Sequence, residues 1–310
     1  MTAYEKPIIQ TTEIEQILTM QLGTSLITEL MPMTGGNLSR VFSFRFDGRE
    51  GVIKFSDLAG AYDTERFVSG LLTGHGVPFP RCLGQGQVNE LSFSILERVP
   101  GSMLIDCTDE QKKAQLPELI RILAQMNEVQ VDKTRGYGWI KPDGNGASPT
   151  WMAHIESFFA EDQTGNFWEG WYDLFKTTFL EKSVFDECYA RLLHYAPFNE
   201  PHRHFVHGDF QPWNIMSSGD RITGVIDGNC VYGDYLLDLE TLSGTLGELD
   251  VVAAYQQHVQ EKGFEIPNFE ERMLGASYFK GLDAMRFYTK MGWEEAYHGL
   301  RHSLINLVNK

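Results

Sequence analysis

His207-Gly208-Asp209-Phe210-Gln211-Pro212-Trp213-Asn214-Ile215, followed by Gly224-Val225-Ile226-Asp227, is the stretch on which the rest of the chain depends. Apolar Phe205-Val206 bring the chain out of a core, and Gly208 permits a tight turn that presents the Asp209 carboxylate. Asn214 precedes apolar Ile215 and Met216, the start of a short strand. Ser217-Ser218-Gly219-Asp220 turns that strand back, and Arg221 to Ile226 forms the return. Such a hairpin brings Asn214 and Asp227 together at one end. One neutral oxygen ligand and one carboxylate are what Mg²⁺ takes from a protein when phosphates and water complete its octahedron. A separate carboxylate nearby can receive a hydroxyl proton. These are the parts of a phosphoryl-transfer site.

Upstream of this centre the chain reads as strands. A short helix, about Thr12 to Leu22, places Ile14, Ile17, Leu18 and Leu22 on one face. Strands follow at Ile27 to Met33, Val41 to Phe46 and Gly51 to Phe55, the last two joined by the hairpin signal Asp47-Gly48. A helix from Ala61 to Leu72 closes at Gly74, Gly76 and Val77-Pro78, and Cys82 to Val88 and Leu91 to Leu96 complete five strands. After Glu97-Arg98-Val99-Pro100-Gly101 the pattern turns helical: Gln111 to Val129, Trp151 to Phe159, Trp168 to Leu180 and Ser183 to Ala196. Asp132 to Pro149 reads as a surface loop, and helices resume after Asp227 through Leu307. The expected fold class is therefore α+β. Residues 1–97 form a lobe with a small five-stranded antiparallel sheet and one helix between its third and fourth strands, 98–101 a hinge, and 102–310 a larger, mainly helical lobe.

Composition narrows the partners. Lys and Arg total 26 against 42 Asp and Glu, a formal charge of −16, which repels phosphate backbones and anionic lipid. No nucleic acid and no membrane are expected as partners, and a cationic small molecule is favoured. The N-terminus lacks the order of a signal peptide, and no apolar run approaches a bilayer span. Cys82, Cys107, Cys188 and Cys230 lie far apart without a C-x-x-C pair, so a reducing, cytoplasmic setting is expected. The chain is also expected to be a monomer.

The H-G-D-x-x-x-x-N run with its following I-D resembles the aminoglycoside phosphotransferase family, built on the protein-kinase-like two-lobe fold. Lys54 in Val-Ile-Lys-Phe is similar to the phosphate-contacting lysine of the third strand, and Glu65 to the helix glutamate that pairs with it. Ser94 to Gly101, with Glu97 and Val99, resembles the hinge whose backbone holds the nucleotide base. Ser39-Arg-Val-Phe-Ser-Phe44, Gly136-Tyr-Gly138 and Thr150-Trp151 are most similar to the hygromycin B phosphotransferases. The resemblance implies that Asp209 is the catalytic base, that Asn214 and Asp227 hold Mg²⁺, and that ATP or GTP is the phosphoryl donor. Two features depart from the family pattern. Gly228-Asn229 stands after Asp227 where the family often has Trp, and Gly35-Gly36-Asn37-Leu38-Ser39-Arg40 lacks the repeated glycines of a kinase phosphate loop. That loop can still cover phosphates through backbone N–H groups and the Ser39 hydroxyl.

Competing readings are weighed against these. His202 and His204 would share a strand face, but no nearby cysteine or suitable third ligand completes a zinc tetrahedron, and His207 is expected to hold the loop through its ring. Gly84-Gln85-Gly86 has no third glycine and no helix after it, so it fails as a dinucleotide fingerprint. Trp168, Trp171, Tyr172 and Phe175 stand at helical spacing and belong to a core. The short path from Asp227 to the helix at Leu236 leaves no room for a protein-kinase activation loop. A small-molecule kinase acting on an aminoglycoside-type hydroxyl is therefore the leading expectation. A metabolite kinase for choline or an amino sugar, a macrolide kinase, and an inactive nucleotide-binding module stand behind it. For a polycationic substrate the candidate contacts are Asp234, Asp238 and Asp283, with Glu240, Glu248 and Asp250 nearby in sequence and Tyr278, Phe279 and Phe287 as a stacking wall.

Overall fold

A computed structural model describes residues 6–34, 36, 38–247 and 249–309. Two compact units emerge. The first runs to Pro100 and includes Lys141–Gly144; the second holds Gly101–Ile140 and the chain from Asn145 onward.

In the first unit α1 (Thr11–Leu22) precedes β1 (Ile27–Pro32), β2 (Arg40–Phe46) and β3 (Arg49–Ser56); then come α2 (Glu65–Gly74), β4 (Cys82–Val88) and β5 (Leu91–Glu97). The sheet order is β1-β2-β3-β5-β4, antiparallel at every pairing. Asp47 and Gly48 both take positive φ, 47° and 75°, the geometry of a two-residue hairpin turn that matches strand twist. Phe44, Phe46, Ile53, Phe55, Phe93 and Ile95 form the inner face and bury Ile14, Ile17 and Leu18 of α1. The second helix begins at Glu65, four residues later than the apolar pattern predicts. Ala61 and Asp63 spend their N–H groups on the Leu58 and Gly60 carbonyls, so the chain turns there before it coils. Lys141–Gly144 touches this unit at α2, where a Cβ on Gly144 would come within 2.5 Å of the Phe67 ring.

The second unit carries β6 (Ser102–Met103), α3 (Asp109–Asn127), β7 (Tyr137–Ile140), β8 (Gly146–Ser148), α4 (Trp151–Phe158), α5 (Leu174–Thr177) and α6 (Lys182–Asn199). Then follow β9 (His204–Val206), β10 (Ile215–Ser217), β11 (Ile222–Val225), β12 (Val231–Gly233), α7 (Leu236–Thr245), α8 (Val251–Glu261), α9 (Phe269–Lys290) and α10 (Glu294–Asn306). The segment expected to be a loop, 132–149, instead supplies β7 and β8 to a sheet ordered β8-β7-β12-β9. Its glycines hid the strands: Gly136 and Gly146 approach backbone so closely that a Cβ on either would meet it within 3 Å. Trp168 to Leu180 is likewise not one helix. Gly170 at φ 71° separates it into turns and the four-residue α5. The aromatics of that stretch still pack as core: Trp171 is buried, and Trp168, Tyr172 and Phe175 lie against it beside α6 and α9.

This core positions the centre of the chain. Phe205, Val206 and Val231 are buried, and β9 pairs with β12 through Val206 and Val231. The loop leaving β9 and the loop entering β12 are thereby held side by side.

Candidate active site

The predicted hairpin is present. Ile215 pairs with Val225 and Met216 with Gly224, and the Ile226 N–H donates to the Asn214 carbonyl at 2.8 Å. Asn214 and Asp227 therefore stand at the same end of β10–β11. Asp227 holds φ 56°, a left-handed conformation that costs a non-glycine residue about 1–3 kcal/mol. Strain of that kind, two residues past a registered strand pair, aims an exposed carboxylate at a fixed place.

Asn214 is tied to Asp209 as well. Its Nδ2 donates to the Asp209 carbonyl at 3.0 Å and to Oδ2 of the Asp209 carboxylate at 2.6 Å. Burial raises the Asp209 pKa above its ordinary value. The charge of Lys280 and the Asn214 hydrogen bond oppose that rise, and the charge of Asp227 adds to it. The carboxylate is thus half-buried, oriented by an amide, and suited to accept a proton.

The turn that presents Asp209 is fastened from several directions. Oδ2 and Oδ1 of Asp238 accept the N–H groups of His207 and Gly208 at 2.7 and 2.8 Å. The His207 ring is fully buried and its pKa is pushed down to about 4, chiefly by burial. Its Nδ1 accepts the Asp209 N–H at 3.4 Å, so the proton sits on Nε2, which donates to the Ile226 carbonyl at 3.1 Å. Gly208 has φ 78°, and a Cβ there would stand 2.1 Å from the Asn229 carbonyl oxygen. Gly208→Ala should therefore lose most turnover and lower the melting temperature, since left-handed strain of about 1–2 kcal/mol is joined by a backbone clash. A variant with the wild-type melting point and rate would show that the turn tolerates a side chain.

Two of the three carboxylates expected to meet substrate are fully buried and held by protein partners. Asp238 is fully buried with both oxygens on the 207–208 backbone, and burial pushes its pKa up to about 7. Asp234 is also fully buried; it holds Arg272 by two 2.8 Å bonds and accepts from Asn199 and the Leu236 N–H. The spacing suggests one helix for both, but Asp234 lies just before α7 and only Asp238 is on it, and both side chains point into the interior. Glu240 is desolvated, with its pKa raised to about 7, and Glu248 lies outside the described residues. Asp250 caps α8 by accepting the Ala253 N–H.

Asp283 differs. It lines a cleft with Trp139, His154, Phe158, Gly208, Asn229, Phe279 and Lys280. Its Oδ1 accepts from Arg286 at 3.1 and 3.2 Å, and Oδ2 has no protein partner among the described residues. Phe279 stands in the cleft as expected. Tyr278 stacks on Tyr195 instead, and Phe287 packs against Trp293 and Phe167. Sequence reading missed Trp139, His154 and Lys280. Burial holds the His154 pKa at about 4, and its Nε2 has no hydrogen-bond partner.

In the first unit Lys54 is nearly buried on β3, with its Nζ 3.4 Å from Oε2 of Glu65 at the start of α2. The Ser39 hydroxyl lies 2.7 Å from the Tyr62 hydroxyl, and the Lys54 ammonium stands 5.2 Å from the centre of the Tyr62 ring. Gly35 and Asn37 of the expected phosphate loop lie outside the described residues. Glu97 ends β5, with its N–H on the Arg81 carbonyl, and half-buried Val99 follows.

A desolvated aspartate on a braced turn, an asparagine bonded to it and a second aspartate one hairpin away are the kinds of group that phosphoryl transfer uses. The chain belongs to the phosphotransferase enzyme family, whose model matches residues 29–274. It is similar to the hygromycin-B 4-O-kinase of Escherichia coli, with 27% identity over 232 residues. That alignment takes in 74% of this chain but only 65% of the relative's own length. Aminoglycoside phosphotransferase APH(4)-Ia, solved in a ternary complex with AMP-PNP and hygromycin B, superposes with TM-score 0.77 at 21% identity, covering 96% of this chain and 98% of that one. APH(3'')-Id from Streptomyces rimosus superposes with TM-score 0.58 at 18% identity, covering 88% and 99%. The fold is thus the kinase-like one of the aminoglycoside phosphotransferases. No helix among the described residues is long and apolar enough to cross a membrane.

Proposed function

We propose that this protein transfers the γ-phosphoryl group of a nucleoside triphosphate to a hydroxyl of an aminoglycoside-type substrate resembling hygromycin B. The observation that carries the reading is Asp209, bonded to Asn214 and braced beside a cleft walled by Trp139, Phe279 and Asp283. Similarity to the hygromycin kinase supports the choice of acceptor. Asp209 orients the acceptor hydroxyl and takes its proton. Lys54, steadied by Glu65, contacts the nucleotide phosphates, Ser39 adds a hydroxyl there, and the backbone from Glu97 to Val99 receives the base. Residues 1–97 serve as the nucleotide-binding lobe and 102–310 carry catalysis and acceptor binding.

Mg²⁺ suits the oxygen donors present. Asn214 spends its amide N–H groups on Asp209 and keeps its Oδ1 as a ligand, with the Asp227 carboxylate beside it. An ion held by two protein oxygens takes the rest of its ligands from phosphates and water. Bound there, Mg²⁺ would offset the negative charge of the triphosphate. Asp227→Ala should abolish calorimetrically measurable Mg-nucleotide binding while leaving the fold intact; unchanged affinity would remove Asp227 from the ligand set.

Ring stacking on Trp139 and Phe279 with one charged contact at Asp283 suits a sugar bearing an ammonium group. Asp283→Asn should raise the acceptor KM about 10-fold, the loss of one charge-assisted hydrogen bond, and leave the nucleotide KM unchanged. The deciding experiment is a coupled phosphoryl-transfer assay across aminoglycosides, hygromycin B included, and amino-sugar and choline-like metabolites. The cleft is lined by one carboxylate, Asp283, together with the Lys280 ammonium, and by no further acid among the described residues. That favours a metabolite kinase as the second reading, and transfer to metabolites alone would install it.

A further inference from the structure

The Gly208 peptide is held on both of its polar groups. Its N–H is on Asp238, and its carbonyl accepts a 2.5 Å hydrogen bond from the Lys280 ammonium, which comes from α9, far along the chain. Lys280 also lines the cleft beside Gly208, one helical turn from Asp283. Its charge acts on His207, Asp209, Asp238 and Glu240, so it is the shared cation of a buried acidic cluster.

We infer that Lys280 is a positioning residue for phosphoryl transfer, clamping the Gly208 carbonyl so that the next residue, Asp209, is presented in its working orientation. Asp238 fixes the amide side of the turn and Lys280 the carbonyl side. Neither bond can be supplied by water at equal strength, because the turn is desolvated and a charged donor in such a place forms a stronger bond than a neutral one. The clamp rests on the assignment of Asp209 as the base, but its mechanical part does not.

Two measurements separate these. Amide hydrogen exchange of the peptide spanning residues 205–211 reads the clamp without turnover. Lys280→Met should accelerate exchange there and leave α6 protected, whereas unchanged exchange would overturn the inference. In the transfer assay Lys280→Met should lower kcat about 10- to 100-fold, the loss of a charged hydrogen bond, with nucleotide KM unchanged. In the Asp209→Asn background the same substitution should cost nothing further, because a residue acting through Asp209 has nothing left to orient. A loss that persists undiminished in that background would assign Lys280 another role. Lys280→Arg, which keeps the charge and a donor, should recover part of the rate. If Lys280→Met does not fold, Lys280→Leu, which also removes the donor and the charge, runs both measurements with the same expected outcomes. A wild-type protein that transfers phosphate to no acceptor would defeat the proposed function, while the exchange measurement would still decide the clamp.

Discussion

Asp209→Asn is expected to lower kcat by about 10²–10⁴-fold and to leave nucleotide affinity within the error of measurement. Asparagine is nearly isosteric, so the turn braced by Asp238 and His207 survives the change. What disappears is the proton acceptor. The carboxylate of Asp209 is bonded on one oxygen to the Asn214 amide, an arrangement that orients it without neutralising it. Burial, which raises its pKa, also brings its basicity closer to that needed to accept a hydroxyl proton as the bond to phosphorus forms. Purified protein, single-turnover kinetics and a separate nucleotide titration make the test. Turnover near the wild-type rate would mean that orientation alone drives transfer and that Asp209 is no base.

How much of this could be read beforehand depends on the range of the interaction. Asn214 and Asp227 were legible as a pair because a short hairpin with apolar Ile215 and Val225 in register leaves little choice of geometry. The Lys54–Glu65 pair was legible only through resemblance, since neither residue's neighbours distinguish a cleft-facing lysine from a solvated one. Asp234 and Asp238 turn inward for a physical reason that spacing does not carry. Spacing fixes neither where a helix begins nor which way its face points: Asp234 precedes α7, and the partners that turn Asp234 and Asp238 inward are Arg272, Asn199 and the 207–208 backbone. Lys280 was invisible on the same ground: its bond to Gly208 joins residues 72 apart. Trp139 was lost with the strand that carries it, because the glycines around β7 read as loop when they in fact permit close backbone packing.

Arg272→Met should destabilise the protein by about 3–5 kcal/mol, the cost of leaving a buried charge without its partner. Both side chains of the Arg272–Asp234 pair are fully buried and meet through two parallel 2.8 Å bonds. Arg272 further donates to the Pro267 carbonyl and lies 5.0 Å from the centre of the Tyr235 ring. Asp234 in turn accepts from Asn199 on α6 and from the Leu236 N–H at the start of α7, so the pair joins α6, α7 and α9. Removing the cation strands the carboxylate among groups that can only partly solvate it. The double substitution Asp234→Leu with Arg272→Met removes both charges together and should be less destabilising than Arg272→Met alone, because no unpaired ion remains. Urea denaturation of the three proteins measures the difference. A single variant within about 1 kcal/mol of wild type, the range of an exposed pair, would mean that water reaches Asp234 and that the junction is not the dry one seen in the structure. Because α7 also carries Asp238, the loss should spread to the turn that presents Asp209. Arg272→Met should lose activity at temperatures below its own melting point, whereas a pair that stabilised only the core would leave kcat intact until the protein unfolds.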